Sequence, residues 1–178
     1  MKLRVMQKIA NYENFPVSII IISNLVSVLI YFSGFIIILR LNWMAAVLYV
    51  GFILAFEYRL LSRHCVNCYY WGKFCGFGKG KLNSFFFKRG NPSKFCEKKM
   101  TWKDLTADFL VSLIPLIIGI ALMIMKFDYA VLIAGIILII LTTAGNGFIR
   151  INLSCKYCKQ KEIGCPAEQL FYKDKSDA

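Results

Sequence analysis

Residues 17–39 read VSIIIISNLVSVLIYFSGFIIIL. The stretch carries no charge, and only Ser23, Asn24, Ser27 and Ser33 interrupt its apolar character. It exceeds the roughly 20 residues that a helix needs to cross the hydrocarbon of a bilayer. A cleaved export signal has a shorter apolar core, about 7–15 residues, followed by a small-residue cleavage site. Here Arg40-Leu41-Asn42-Trp43 leads straight into more apolar sequence. The stretch therefore reads as a spanning helix.

Three further runs have the same character. They cover about 43–61, with Glu57 and Arg59 near the end; about 107–125, containing Pro115; and about 129–149, uncharged until Arg150. Backbone groups within lipid must be paired inside their own segment, which selects helices over isolated strands. The composition agrees: 58% of the residues are hydrophobic, above the roughly 45–50% of soluble domains. The expected fold is an all-α integral membrane protein with four transmembrane helices. They form two tandem hairpins in a parallel pseudo-repeat, each followed by a cysteine-rich segment. Residues 1–75 make the first hairpin and cysteine triplet, 76–105 a basic loop rich in phenylalanine, and 106–178 the second hairpin, triplet and tail.

The charge pattern sets an expected orientation. Lys2, Arg4 and Lys8 precede the first run, and ten basic residues from Arg63 to Lys103 lie between the second and third. Arg150, Lys156, Lys159, Lys161, Lys173 and Lys175 follow the fourth. The two short connections carry one each, Arg40 and Lys126. Lys and Arg near helix ends mark the cytoplasmic side. Both termini and the central loop are thus expected in the cytoplasm.

That placement governs the cysteines. Cys65, Cys68 and Cys75 have the spacing C-x2-C-x6-C, and Cys155, Cys158 and Cys165 repeat it. Cytoplasmic thiols are normally reduced, and the total of seven cysteines cannot all pair. Metal ligation is then the leading explanation. A shift of about 90 residues lays one triplet on the other without a gap and one hairpin on the other. This points to duplication about a pseudo-two-fold axis along the membrane normal, as in parallel-repeat membrane proteins.

Thiolates suit zinc, copper(I) and iron–sulfur clusters. Structural zinc takes four ligands, so each triplet is one short. Cys96 is the candidate for the first, with His64, the sole histidine, beside it. The second could borrow either residue, use Glu162 or Glu168, keep an open position, or join the first around a shared centre. Zinc is favoured. An iron–sulfur cluster comes second, because the ferredoxin spacings do not match. Functionally, the pattern supports a cytoplasmic-face metal site in a structural or regulatory role. One alternative is a membrane oxidoreductase using an iron–sulfur centre. Another is a soft-metal transporter, weakened by the lack of Cys or His inside the runs.

Other classes find little support. Hydrolase signatures such as H-E-x-x-H and G-x-S-x-G are missing from the sequence, and no ladder of charges runs through the spans. The net charge of +12 has no nucleic-acid motif beside it and reads as topology plus attraction to anionic lipid headgroups. Phe85-Phe86-Phe87, flanked by Lys81, Lys88 and Arg89, fits a segment in the headgroup layer. Gly76-Phe77-Gly78-Lys79-Gly80-Lys81 reads as a flexible juxtamembrane loop. Glu57 has Arg59 or Arg150 as expected partners. A protein partner or a homo-oligomer is compatible with all of this.

Overall fold

In a computed structural model of the chain, the described residues are 11–92, 95 and 102–165, with the backbone alone described for 102–108. The hydrophobic runs all become helices. α1 is Val17–Leu41, α2 Trp43–Arg63, α3 Lys79–Phe86, α4 Trp102–Met125 and α5 Tyr129–Ile140. α5 continues through a π-helical turn Leu141–Gly145, the short α-turn Asn146–Phe148 and a second π-helical turn Ile149–Ser154. Among the described residues no strand forms, and the one isolated β-bridge joins Tyr12 to Cys158.

Three helical stretches are long and apolar enough to cross a membrane: Val17–Leu41, Trp43–Asn67 and Tyr129–Tyr157. Phe109–Met125 adds a shorter apolar stretch within α4. Their outer faces support the same reading. Ile21, Leu25 and Val28 on α1, Leu48 and Leu54 on α2, and Ile124 on α4 are all exposed. Soluble monomers rarely leave so continuous an apolar surface in water; acyl chains would cover it.

The connections that sequence placed between helices are Asx caps. The Asn42 side chain accepts a hydrogen bond from the Met44 N–H at 3.0 Å, and Asp128 does the same for Ala130 at 2.8 Å. Each caps free donors at a helix start. Arg40 pairs with Asp128 at 3.3 Å and ties the end of α1 to the start of α5.

α1 is the central helix and packs along α2, α4 and α5. Ile30 and Ile37 of α1 bury against Val131, Ala134 and Leu138 of α5. Ile38 joins Ala46, Tyr49 and Ile53 of α2 and Val111 of α4 in a second cluster. Close approach rests on small residues, as is usual where lipid supplies no hydrophobic drive. A Cβ on Gly34 would collide with the Tyr49 hydroxyl, and one on Gly119 would stand 3.2 Å from Ile37. Tyr49 in turn donates to the Val111 carbonyl at 2.8 Å, which joins α2 to α4.

Several polar residues in the spans bond within their own helix. Ser27 and Ser33 donate to carbonyls one turn back, Ser23 and Leu29, within α1. Asn146 accepts from Arg150 Nε at 3.1 Å within its own helix. In each case the nearest acceptor or donor is local, and it wins over a partner on another helix. The helical stretch that begins at Tyr129 also runs past Arg150, where the apolar run stops. Its π-helical turns carry the chain on to Cys155.

Candidate thiol site

The two cysteine triplets fold alike. His64 leaves α2 with φ −107° and ψ −52°, and a 3-10 turn follows at Cys65–Asn67. Ser154 leaves the fourth helix with φ −98° and ψ −60°, and a 3-10 turn follows at Cys155–Tyr157. The Cys68 N–H donates to the Cys65 carbonyl at 3.3 Å, and the Cys158 N–H to the Cys155 carbonyl at 3.3 Å. Next, Cys68 O accepts from Trp71 N at 3.1 Å and Cys158 O from Lys161 N at 3.2 Å. Each C-x2-C is thus a knuckle closed by the same pair of backbone bonds.

The knuckles also dock on each other reciprocally. Tyr70 stands two residues after Cys68, and its hydroxyl accepts from the Lys159 N–H of the second knuckle at 2.9 Å. Gln160 stands two residues after Cys158, and its Oε1 accepts from the Tyr69 N–H of the first knuckle at 2.7 Å. So the side chain at Cys+2 of each copy receives the backbone donor at Cys+1 of the other. This exchange is what a local two-fold relation produces. The residue types differ, Tyr against Gln, so alignment by identity does not reveal it. Gln160 Oε1 also lies 3.8 Å from the Cys68 sulfur, within reach of its weak S–H donor.

The segment before α1 straps this junction. Tyr12 N–H donates to the Tyr157 carbonyl at 3.1 Å, and Phe15 N–H to the Phe74 carbonyl at 2.9 Å. The Tyr70 hydroxyl donates to the Tyr12 carbonyl at 2.6 Å. Glu13 takes Lys73 from the first triplet at 2.9 Å and Lys159 from the second, with Tyr69 donating to it at 2.7 Å. These bonds hold the Glu13 carboxyl down at about 2, with Lys159 the largest cause and Lys73 next. Beneath the strap, Phe15, Ile19 and Tyr70 form a small buried cluster against which Cys68, Cys75 and Cys158 pack.

The glycine-rich stretch is wedged into the bundle rather than loose beside it. Asn24 Nδ2 donates to the Phe77 carbonyl at 3.1 Å, reaching across from α1. Gly76 lies so close to Ser154 that a Cβ would stand 2.6 Å from its hydroxyl oxygen. Gly78 has φ +69°, a left-handed conformation that glycine adopts without steric cost, and it starts α3. Lys79 in the first turn of α3 pairs with Glu57 at 2.6 Å, and Tyr31 donates to the same carboxylate at 2.6 Å. Glu57 therefore meets Lys79, a partner not expected from its own helix. The inserted loop delivers Lys79 to it, a placement that sequence spacing along α2 cannot show.

The thiols share one electrostatic neighbourhood. Burial pushes the Cys68 thiol up to about 12, with Cys75, Cys65 and Cys165 adding repulsion against its thiolate. Burial likewise pushes Cys158 up to about 12, with Cys68, Cys155 and Cys165 adding to it. Cys165 thus adds repulsion at one cysteine of each triplet. Cys75 receives a different influence: the Gly80 N–H donates to its sulfur at 3.4 Å. No disulfide joins the six described cysteines; Cys155 is exposed and the others are partly buried.

The residues named from sequence fall as follows. Cys65, Cys68, Cys75, Cys155, Cys158 and Cys165 gather at one end of the bundle. His64 sits at the start of the first knuckle, and Ser154 occupies the matching place in the second. Glu162 accepts from Asn11 at 2.5 Å. Cys96 and Glu168 lie outside the described residues. Among the described residues, no three His, Cys, Asp or Glu side chains stand close enough to hold one ion as placed. The docking residues Tyr70, Gln160 and Glu13 were not singled out from sequence. Tyr70 and Gln160 share a fixed offset from the repeated cysteines, whereas Glu13 carries no such signal.

Comparison with family models, curated proteins and solved structures finds no match.

Proposed function

We propose that this chain is a multi-pass membrane protein whose docked knuckles form one shared soft-ion site at the cytoplasmic face. Zinc is the favoured occupant and an iron–sulfur cluster the alternative, in a structural or regulatory role. The observation that carries the reading is the reciprocal bonding of Tyr70 and Gln160. It joins two separate triplets into one group of thiols, whereas two independent clips would need no such exchange.

The donor set fits in chemistry. Thiolates are the preferred ligands of these ions, and a backbone N–H on the Cys75 sulfur is the kind of outer support that orients and stabilises a ligand. The thiols as placed do not yet form a closed shell, so ion binding would draw them inward and displace their protons. Buried thiols with a raised pKa are poor nucleophiles, which weighs against a free reactive thiol and in favour of ligation or packing. The cytoplasmic placement rests on the concentration of Lys and Arg at the cysteine end of the helices. Lipid headgroups at that level suit the exposed Phe85 and Phe86 of α3.

Anaerobic purification in mild detergent, followed by elemental analysis and a visible spectrum, tests the proposal. Zinc alone, at one or two per chain, supports the structural role. Iron with sulfide and broad visible absorption supports the oxidoreductase. No bound metal, together with unaltered Cys-to-Ser variants, overturns both. Labelling of the exposed Cys155 from outside intact cells would reverse the orientation.

A further inference from the structure

Residues 58–96 hold eight Lys or Arg and no Asp or Glu. Lys73 pairs with Glu13 and Lys79 with Glu57. Lys81, Lys88 and Arg89 are exposed, and among the described residues no ion pair engages them. They stand beside an apolar face. Leu82, Phe85 and Phe86 of α3 are exposed, the two rings at 75% and 70%, and their spacing puts them on one side of the helix. Gly80 and Asn83 form its buried side. The position of α3 is fixed at both ends. A Cβ on Gly78 would stand 3.0 Å from Ile20 of α1, and Lys79 reaches Glu57 of α2. At the other end the Phe87 ring lies 5.7 Å from that of Tyr58 on α2. Trp71 Nε1 donates to the Phe87 carbonyl at 3.3 Å, and the Gly90 N–H to the Val66 carbonyl at 2.9 Å. α3 therefore sits beside the last turns of α2, where its apolar run gives way to charge. A cleft of about 340 Å³ opens there, lined by Trp71, Ser84 and residues 85–89. Lys88 and Arg89 line it between the anchored Phe87 and Gly90.

We propose that this cleft binds the headgroup of an anionic glycerophospholipid, with Lys88 and Arg89 on the phosphate and Leu82, Phe85 and Phe86 among the acyl chains. Arg and Lys are the usual partners of phosphate oxygens. Apolar side chains beside cations seat a helix in the plane of the interface. An acidic protein surface would satisfy the cations and leave the apolar face in water, whereas a lipid meets both. The inference rests on the membrane reading above and is independent of the soft-ion site.

The test mixes the full chain in a neutral detergent with phosphatidylglycerol or phosphatidylcholine and counts retained lipid by native mass spectrometry. The neutral micelle offers no anionic surface, so retention reads a site and not general attraction. Wild type is expected to keep one phosphatidylglycerol in preference to phosphatidylcholine. Lys88→Gln and Arg89→Gln should each weaken that retention about 10-fold, the worth of one hydrogen bond to a charged group. Lys156→Gln, at an exposed lysine of the second knuckle, should leave it unchanged. Equal retention of the two lipids, or equal losses in all three variants, overturns the cleft. Displacement of the lipid by soluble glycerol phosphate at similar concentration marks a small-anion site and overturns the lipid. A chain that alkaline carbonate washes out of membranes overturns the membrane reading and the proposal with it. A chain that stays embedded and shows no lipid preference overturns the proposal alone.

Discussion

Replacing Tyr70 with Phe removes one oxygen and leaves the ring in place. The ring is 1% exposed and packs with Phe15 and Ile19. The lost hydroxyl makes two bonds, to the Tyr12 carbonyl at 2.6 Å and from the Lys159 N–H at 2.9 Å. Each is worth about 1 kcal/mol net, and a buried donor left unpaired costs about 1–3 kcal/mol. Tyr70→Phe should therefore destabilise the junction by about 2–3 kcal/mol. Gln160→Leu removes the opposite bond, to the Tyr69 N–H at 2.7 Å, with a cost of the same order. Because both bonds hold the same two knuckles, the double variant should lose less than the sum, with a coupling of about 1 kcal/mol. Denaturant titration in mild detergent, followed by the fluorescence of the adjacent Trp71, reads all four proteins. Single variants within about 0.5 kcal/mol of wild type, the range of ordinary surface changes, would refute the docking. Strict additivity would show that the knuckles do not act as a unit.

Glu13→Gln should flatten the acid limb of the stability profile. The folded carboxyl is held at about 2 against an ordinary 4.5, so its contribution is present above the ordinary value and is lost as pH falls toward about 2. Because the group is exposed, added salt should shrink the difference; a wild-type acid limb that the variant leaves unchanged would contradict the strap. Gly80→Ala forces a Cβ into the Tyr70 and Lys73 carbonyls and should cost about 1–3 kcal/mol by overpacking, read in the same titration. In metal-free protein, maleimide should label Cys155 well before Cys68 and Cys158. The latter two are held near 12 against an ordinary 9.0. The fold's preference for their neutral form holds below about 9 and is lost as pH rises through about 12. Equal labelling rates near neutral pH would contradict their burial.

The apolar helices were legible because residues 17–39 and the three other runs are long, uncharged for most of their length and bounded by polar residues. The repeated knuckles were legible from spacing alone. Their docking was not. Tyr70 and Gln160 do the same work with different chemistry, so the repeat hides behind residue identity. The continuation of the fourth helix to Cys155 escaped notice because hydrophobic periodicity ends at Arg150 while backbone bonding does not. The glycine stretch 76–81 resembled a free loop because glycine marks flexibility and close approach equally well. Only the contacts with Asn24 and Ser154 show that close approach applies. Glu57 found Lys79 through that same loop, a pairing set by tertiary structure.

The central claim is that the two triplets form one site. Metal content and affinity of Cys68→Ser and Cys158→Ser, each measured against wild type under anaerobic conditions, test it most directly. A shared site predicts that either substitution, in either triplet, weakens binding of all the bound metal. Two independent clips would let each variant keep half of it at wild-type affinity, and that result would contradict the account.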